Sequence, residues 1–412
     1  LSPQPVAILH YAGPPGVGGV ELTMAAHARF LADRDRPVRI LAGAGGQVGH
    51  GIETVIIPEV GSRGAGVEEV NLQLASGTVS EQFTVLVDRA SDRLVAATAD
   101  ISVMIAHNVL TLHKNLALTS AMRRLHDAGR LPPMIAWCHD FAWIDPLYQP
   151  DLHDGRPWDL LRRPWPGVQY VAVSEARRRT LADLLGVAAE SITVVPPGID
   201  VGAFFKLEAA TAELVARLGL LAADPFLLLP ARVTRRKNME LAVAITAALR
   251  QQGMAPVLVV TGPPGPHDPA NAAYLAALRQ DAGRQGVGES VVFLHDQVAH
   301  VAPAMISDLF RLADALLFPS RMEGFGIPLL EAGLSRIPIF CSDLPVFREV
   351  APEAAVMFSL DEPAAAIAAR IAASLGADPA YAFRRRVRVD YPWSAVCERG
   401  LIPLLDQAAG LS

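Results

Sequence analysis

A chain of 412 residues with 51% hydrophobic and 19% charged side chains is longer than one core usually supports, and its apolar content is enough to build two. Its formal charge of -6 leaves no general basic footprint, which argues against nucleic acid as a partner. The cysteines Cys138, Cys341 and Cys397 form no Cys-x-x-Cys pair, and no apolar stretch reaches the roughly 18 residues of a membrane span, so the expectation is a cytoplasmic protein without structural zinc or stable membrane insertion.

The chain opens on a buried-strand run, 6–11, followed by a turn-rich loop, GPPGVGGVE, over 13–21 and a helical pattern over 22–31. With the strand at 38–42 this predicts the start of a βαβ unit and a parallel sheet. The glycines Gly16, Gly18 and Gly19 invite a dinucleotide reading, but the Gly-x-Gly-x-x-Gly register would need glycine at Glu21, and no acid closes the second strand. Glycines that let a ligand approach the first strand fit better.

Further strands are predicted at 54–57, 101–106 and 134–138, with helix around 81–97. The run 101–106 leads into His107-Asn108 and the run 134–138 into His139-Asp140. The carboxyl ends of parallel strands line the ligand crevice, which makes these polar pairs site candidates. An aromatic and basic insertion over 141–170 carries Trp143, Trp158 and Trp165, and it reads either as a loop with its own small cluster or as a lid shaping an acceptor pocket. Strands at 170–173 and 192–195 follow, with Ser174 as a helix N-cap between them, and Pro196-Pro197-Gly198 marks the domain boundary.

A second βα series starts at Phe226, and its first loop carries Arg232, Arg235, Arg236 and Lys237 ahead of a helix over 239–249. The next strand, 257–260, ends in Thr261-Gly262-Pro263-Pro264-Gly265, which lacks the Gly-Lys-Ser/Thr of a nucleotide-hydrolysing loop. A helix over 272–285 and a strand over 291–294 lead into His295-Asp296. Then comes FPSRMEGFGIPLLEA over 318–332, predicted as strand end, glycine loop and a helix opened by Pro328. Such a loop aims the N–H groups of Gly324, Phe325, Gly326 and Ile327 at an anion, while Glu323 and Glu331 would accept hydrogen bonds from sugar hydroxyls. The ligand so described carries both phosphate and sugar. A strand over 337–341 and helices over 347–350, 364–375 and 393–408 complete the chain.

Taken in order, Gly18-Gly19-Val20-Glu21, His139-Asp140, Val195-Pro196-Pro197-Gly198-Ile199-Asp200, Arg232 with Lys237, and Glu323 with Glu331 in EGFGIPLLE resemble the family-4 retaining glycosyltransferases of the GT-B fold. The resemblance implies an α/β chain of two Rossmann-like domains with parallel sheets facing across a cleft. The acceptor domain would be 1–197 and the nucleotide-sugar donor domain 198–392, with a helix over 393–412 crossing back to the first. It implies that Arg232 and Lys237 hold the donor pyrophosphate, Glu331 the ribose, and Glu323 with the 324–327 amides the sugar and phosphates. Gly18 and Gly19 would approach the donor, His295 would lie beside the base, and His139 beside the sugar. His139, Arg232, Lys237 and Glu323 are then the catalytic group, and His107, Asn108, Asp140 and Trp143 the acceptor-side candidates.

Breaking the bond from sugar C1 to the β-phosphate builds negative charge, which two cations and a helix N-terminus can stabilise. No catalytic metal or cofactor is therefore expected. The donor is expected to be a UDP- or GDP-hexose, and the acceptor a small molecule, saccharide or lipid-linked hydroxyl. A carboxylate pair also suits a glycosidase, but a glycosidase has no use for the basic loop. A nucleotide-sugar 2-epimerase and a non-catalytic nucleotide-sugar binding subunit remain as alternatives.

Overall fold

Runs of three to five apolar residues bounded by turns become strands buried on both faces, the pattern of parallel sheets covered by helices. The computed structural model describes residues 4–16, 18–64, 66–265 and 270–410. It sorts into two units, Leu1–Ile199 with Tyr391–Ser412, and Asp200–Asp390.

The first unit is built on β1 (Val6–His10), β2 (Val38–Ala42), β3 (Ile52–Ile56), β4 (Val103–His107), β5 (Met134–Cys138), β6 (Gln169–Ala172) and β7 (Ile192–Val194). Among the described residues these make one parallel sheet of order β3-β2-β1-β4-β5-β6-β7. The second unit has β8 (Phe226–Leu229), β9 (Val257–Val260), β10 (Val291–Phe293), β11 (Ala315–Phe318), β12 (Ile339–Ser342) and β13 (Ala355–Phe358). Their order is β10-β9-β8-β11-β12-β13. Both sheets are Rossmann-like, as the sequence predicts. In each, the order reverses beside the first strand, between β1 and β4 and between β8 and β11, and ligand crevices open outside the carboxyl ends at such points.

The C-terminal segment belongs to the first unit. Ile199 donates its N–H to the Tyr391 carbonyl at 2.7 Å, and a Cβ on Gly198 would lie 2.6 Å from the Trp393 ring, so only glycine fits there. Past Trp393 the helical run Trp393–Val396 passes through a π turn, Cys397–Leu401, into Ile402–Ala408. Val396, Cys397, Leu401, Leu404 and Leu405 join Met24, Ala28 and Leu31 in one apolar cluster. In the second unit, the helix Pro379–Asp390 is anchored by Arg388, which donates to Asp314 at 2.8 Å in a fully buried ion pair.

His10, His27 and His107 are all buried in the first unit. His27 packs edge-on against Trp137 at 4.6 Å and Trp393 at 5.9 Å, and neither of its ring nitrogens has a partner among the described residues. Burial pushes the His27 pKa down to about 3 and that of His107 well below the ordinary 6.5. The folded chain thus stays unprotonated where the unfolded chain binds protons. The stability these rings contribute is fully present above pH 6.5 and is lost as pH falls towards 3, at about 1.4 kcal/mol per pH unit for each histidine. The unfolding temperature is therefore expected to fall between pH 7 and pH 5, and His27→Phe, which keeps a ring between the tryptophans, should make that fall shallower. An unaltered pH slope in the variant would contradict the assignment.

Candidate active site

The switch point of the second unit is framed by the loops after β8 and β11. After β8, Val233 donates to the Pro263 carbonyl at 3.0 Å and Gly262 to the Ala231 carbonyl at 3.1 Å. A Cβ on Gly262 would stand 2.6 Å from Arg232 Cα, so glycine is what lets these two segments touch. Arg232 is held there exposed, and among the described residues its guanidinium has no hydrogen bond or ion pair. The chain then turns through Arg235–Lys237, and Asn238 takes the left-handed conformation with φ 51°.

Lys237 is only 8% exposed. Its ammonium lies 4.6 Å above the Phe318 ring and pairs with Glu323 Oε1, which also accepts from Ser320 Oγ at 2.7 Å. Arg236 donates to Glu323 Oε2 at 3.3 Å, and the Arg321 guanidinium donates to Asn238 Oδ1 at 2.8 Å. Burial lowers the Lys237 pKa, and the Glu323 carboxylate opposes that shift. The two loops are thus stitched together by the residues that the sequence marked as separate candidates.

Beyond Glu323 the loop feeds the helix Ile327–Ser335, which starts at Ile327, one residue before the predicted Pro328. Gly326 sits at φ 101°, and a Cβ there would meet Phe347 at 2.7 Å. Among the described residues, the N–H groups of Gly324, Phe325, Gly326 and Ile327 donate to nothing in the protein. Four donors and the positive end of a helix dipole are therefore left over at one place. One turn on, Glu331 is half-buried with no hydrogen-bond partner among the described residues, and burial raises its pKa. His295 lies in the turn after β10 with Nε2 3.3 Å from Asp296, which in turn accepts from Arg279 at 2.6 Å.

In the first unit the ends of β4 and β5 are joined. Asn108, at φ 60°, accepts the N–H of His139 at 2.7 Å and that of Asp140 at 3.1 Å, and donates to the Asp140 carboxylate at 3.2 Å. His107 Nδ1 lies 3.1 Å from His139 Nε2, so one ring donates to the other, and His10 Nδ1 donates to the His107 carbonyl at 2.9 Å. This corrects the acceptor-side reading of His107 and Asn108. At 0% and 2% exposure they are buried, and their hydrogen bonds go to His139 and Asp140. His139 is half-buried, and burial takes its pKa down to about 4 against the pull of Asp140, which keeps the ring neutral at physiological pH.

The remaining candidates are more constrained than the sequence suggested. Gly18 caps the helix Gly19–Ala32 and Gly19 faces open space, but the Glu21 carboxylate folds over Gly18, where an added Cβ would overlap it. Trp143 spends its indole N–H on the Trp158 carbonyl at 3.2 Å and lies beneath the Arg162 guanidinium. Trp158 and Trp165 belong to the first unit's core. Sequence reasoning missed Ser320 and Gly262 as supports, and it read Asn108, a polar residue at a strand end, as an acceptor-side candidate. Of the two missed, Gly262 carried a signal, in a glycine-proline loop at a strand end.

Two family profiles match the chain. "Glycosyltransferase Family 4" covers residues 17–202 and "Glycosyl transferases group 1" covers residues 212–386. Mannosylglucosylglycerate synthase of Petrotoga mobilis is 25% identical over 277 residues, which is 61% of this chain and 62% of that protein. D-inositol 3-phosphate glycosyltransferase of Nocardia farcinica is 32% identical over 179 residues, 43% of this chain and 38% of its own length. GDP-mannose-dependent alpha-(1-6)-phosphatidylinositol monomannoside mannosyltransferase of Mycobacterium tuberculosis is 31% identical over 192 residues, 45% of this chain and 46% of its own. The chain thus spans less than two thirds of the length of each of these relatives.

The geometry separates two neighbouring glycines. Gly326→Ala forces a side chain into a left-handed position against Phe347 and should cost about 1–3 kcal/mol. Gly324→Ala meets open space and should stay within about 0.5 kcal/mol of wild type, both read from urea unfolding midpoints. Equal costs would show that the loop is not held as described.

Proposed function

The chain belongs to glycosyltransferase family 4, and on that premise we propose that it moves a hexose from a nucleotide-diphosphate sugar to an acceptor hydroxyl, with retention and without a catalytic metal. The observation that carries this reading is the set of unpaired donors at the start of the helix Ile327–Ser335, beside the unpaired Arg232 and the buried Lys237. Donors left without protein partners at a strand switch point fit a diphosphate, whose charge grows as the sugar leaves. Glu331, half-buried and unpartnered, suits ribose hydroxyls one helical turn further on.

In the reaction the bond between sugar C1 and the β-phosphate oxygen breaks, and a bond from C1 to the acceptor oxygen forms on the same face. The acceptor proton passes to the departing phosphate oxygen, so no protein base is consumed. Arg232, Lys237 and the 324–327 amides stabilise the leaving diphosphate. Glu323 already accepts from Lys237, Ser320 and Arg236, a state that suits a hydroxyl anchor better than a nucleophile. In the first unit His139, neutral and oriented by His107 and Asn108, can exchange a hydrogen bond with a hydroxyl of a bound molecule. Glu21 over Gly18 makes the first loop a better partner for hydroxyls than for phosphate. One relative is named for GDP-mannose, which supports a GDP- or UDP-hexose donor. The three buried, unpaired cysteines fit the reducing cytoplasm.

Lys237→Ala is expected to lower kcat/KM for the donor about 100-fold or more, and Glu331→Ala to raise donor KM about tenfold with a smaller change in kcat. Steady-state kinetics across a panel of nucleotide sugars measures both. Unchanged donor affinity and turnover in both variants would remove the proposal, and donor consumption without any acceptor would favour the epimerase.

A further inference from the structure

We propose that a cleft in the first unit, between the helix Val67–Ala75 and the turn at His113-Lys114, binds the acid group of an anionic polyol, a sugar acid or sugar phosphate, that serves as acceptor. This rests on the transferase reading above. The cleft encloses about 480 Å³, which falls within the range of small-molecule sites.

Its two acids and two permanent cations balance in number but are not paired with one another among the described residues. Of its two acids, Asp151 lies 3.5 Å from His113 Nε2, and Glu68 lies 3.5 Å from the Gly64 N–H. Its two permanent cations have no such partners. The Lys114 ammonium rests 4.1 Å above the Tyr148 ring, and Arg63 is exposed, and among the described residues neither makes an ion pair. One further donor in the wall is unspent: Nε1 of Trp158 is buried without a hydrogen-bond partner in a residue only 3% exposed, while Nδ1 of His113, an acceptor when Nε2–H faces Asp151, is likewise unpartnered. Unpaired cations beside an unspent N–H call for a ligand that brings negative charge and acceptor oxygens. Asp151 and Glu68 can accept from that ligand's hydroxyls, which makes a polyol acid a better fit than a bare anion.

The cleft is also tied to the strand ends that carry His139. Asn71 donates to the Lys114 carbonyl at 2.8 Å, which fixes the helix to the turn. The Ala142 N–H donates to the Thr111 carbonyl at 2.8 Å, which joins the loop after β5 to the loop after β4. An acid held at Lys114 and Arg63 therefore places the rest of the molecule on the carboxyl-end side of the same sheet as His139.

The test is a calorimetric titration of the full chain with D-glycerate, inorganic phosphate and glycerol, repeated on Lys114→Gln and Arg63→Gln. At least one anion should bind while glycerol does not, and each variant should weaken that binding about tenfold. Whether glycerate or phosphate binds tells carboxylate from phosphoryl recognition. Equal binding of glycerol, no binding of either anion, or anion affinity unchanged in both variants would overturn the proposal. Thermal unfolding of each variant shows whether it folds, and Arg63→Gln, at an exposed position, carries the test if Lys114→Gln does not. A separate nucleotide-sugar titration of wild type reports on the transferase reading, which can fail while the cleft still binds the anion.

Discussion

The candidate site of the second unit depends on one largely buried ion pair, Lys237 with Glu323. An ammonium taken out of water is costly, and here the cost is offset by the carboxylate, by the Phe318 ring beneath it and by the Ser320 hydroxyl that helps fix Glu323. Removing one partner would leave an uncompensated charge, a loss of about 3–5 kcal/mol where such pairs are fully buried. The pair joins loops leaving β8 and β11, the two strands that flank the reversal of strand order. With those loops fixed, Arg232 and the 324–327 amides are held in place with nothing of their own to bind. On the proposed function these donors are set in place before a ligand arrives, which is how a site stabilises developing charge without reorganising.

The first unit reaches a comparable state by different chemistry. Its strand ends at the sheet reversal carry a chain of rings and amides, His10 to His107 to His139, with Asn108 clasping the loop after β5. Burial keeps these rings neutral, so they can pass or accept a hydrogen bond without adding charge. Two cations of this unit that lack ion-pair partners among the described residues, Arg63 and Lys114, line a cleft further along.

The architecture was legible because buried parallel strands are short, apolar and punctuated. The runs 38–42, 134–138 and 257–260 coincide with β2, β5 and β9 to the residue. The strand expected at 101–106 instead spans Val103–His107, because the N–H of Ile101 closes the preceding turn on Thr98. β13 was missed: Ala355–Phe358 is a half-buried edge strand of four residues, too short to show a period. The candidate residues of the second unit were readable because glycine, proline and acid spacing dictate a strand-loop-helix N-terminus. Pairing within the site was not. No spacing rule says that Glu323 meets Lys237 across two strands, or that His107 and Asn108 face inwards while Asp140 stays exposed, since both follow from sheet order and burial.

The central claim is that the donors around Lys237 and the helix Ile327–Ser335 form a diphosphate cradle that works without a metal. It is tested most directly by a thermal-shift screen of UDP, GDP, ADP and their hexose conjugates in the presence of EDTA, because a ligand that binds only the folded chain raises its melting temperature. A clear rise with one nucleotide base is expected, kept in EDTA and reduced at high salt. No rise with any of these ligands, or a rise that appears only when a divalent cation is restored, would contradict it.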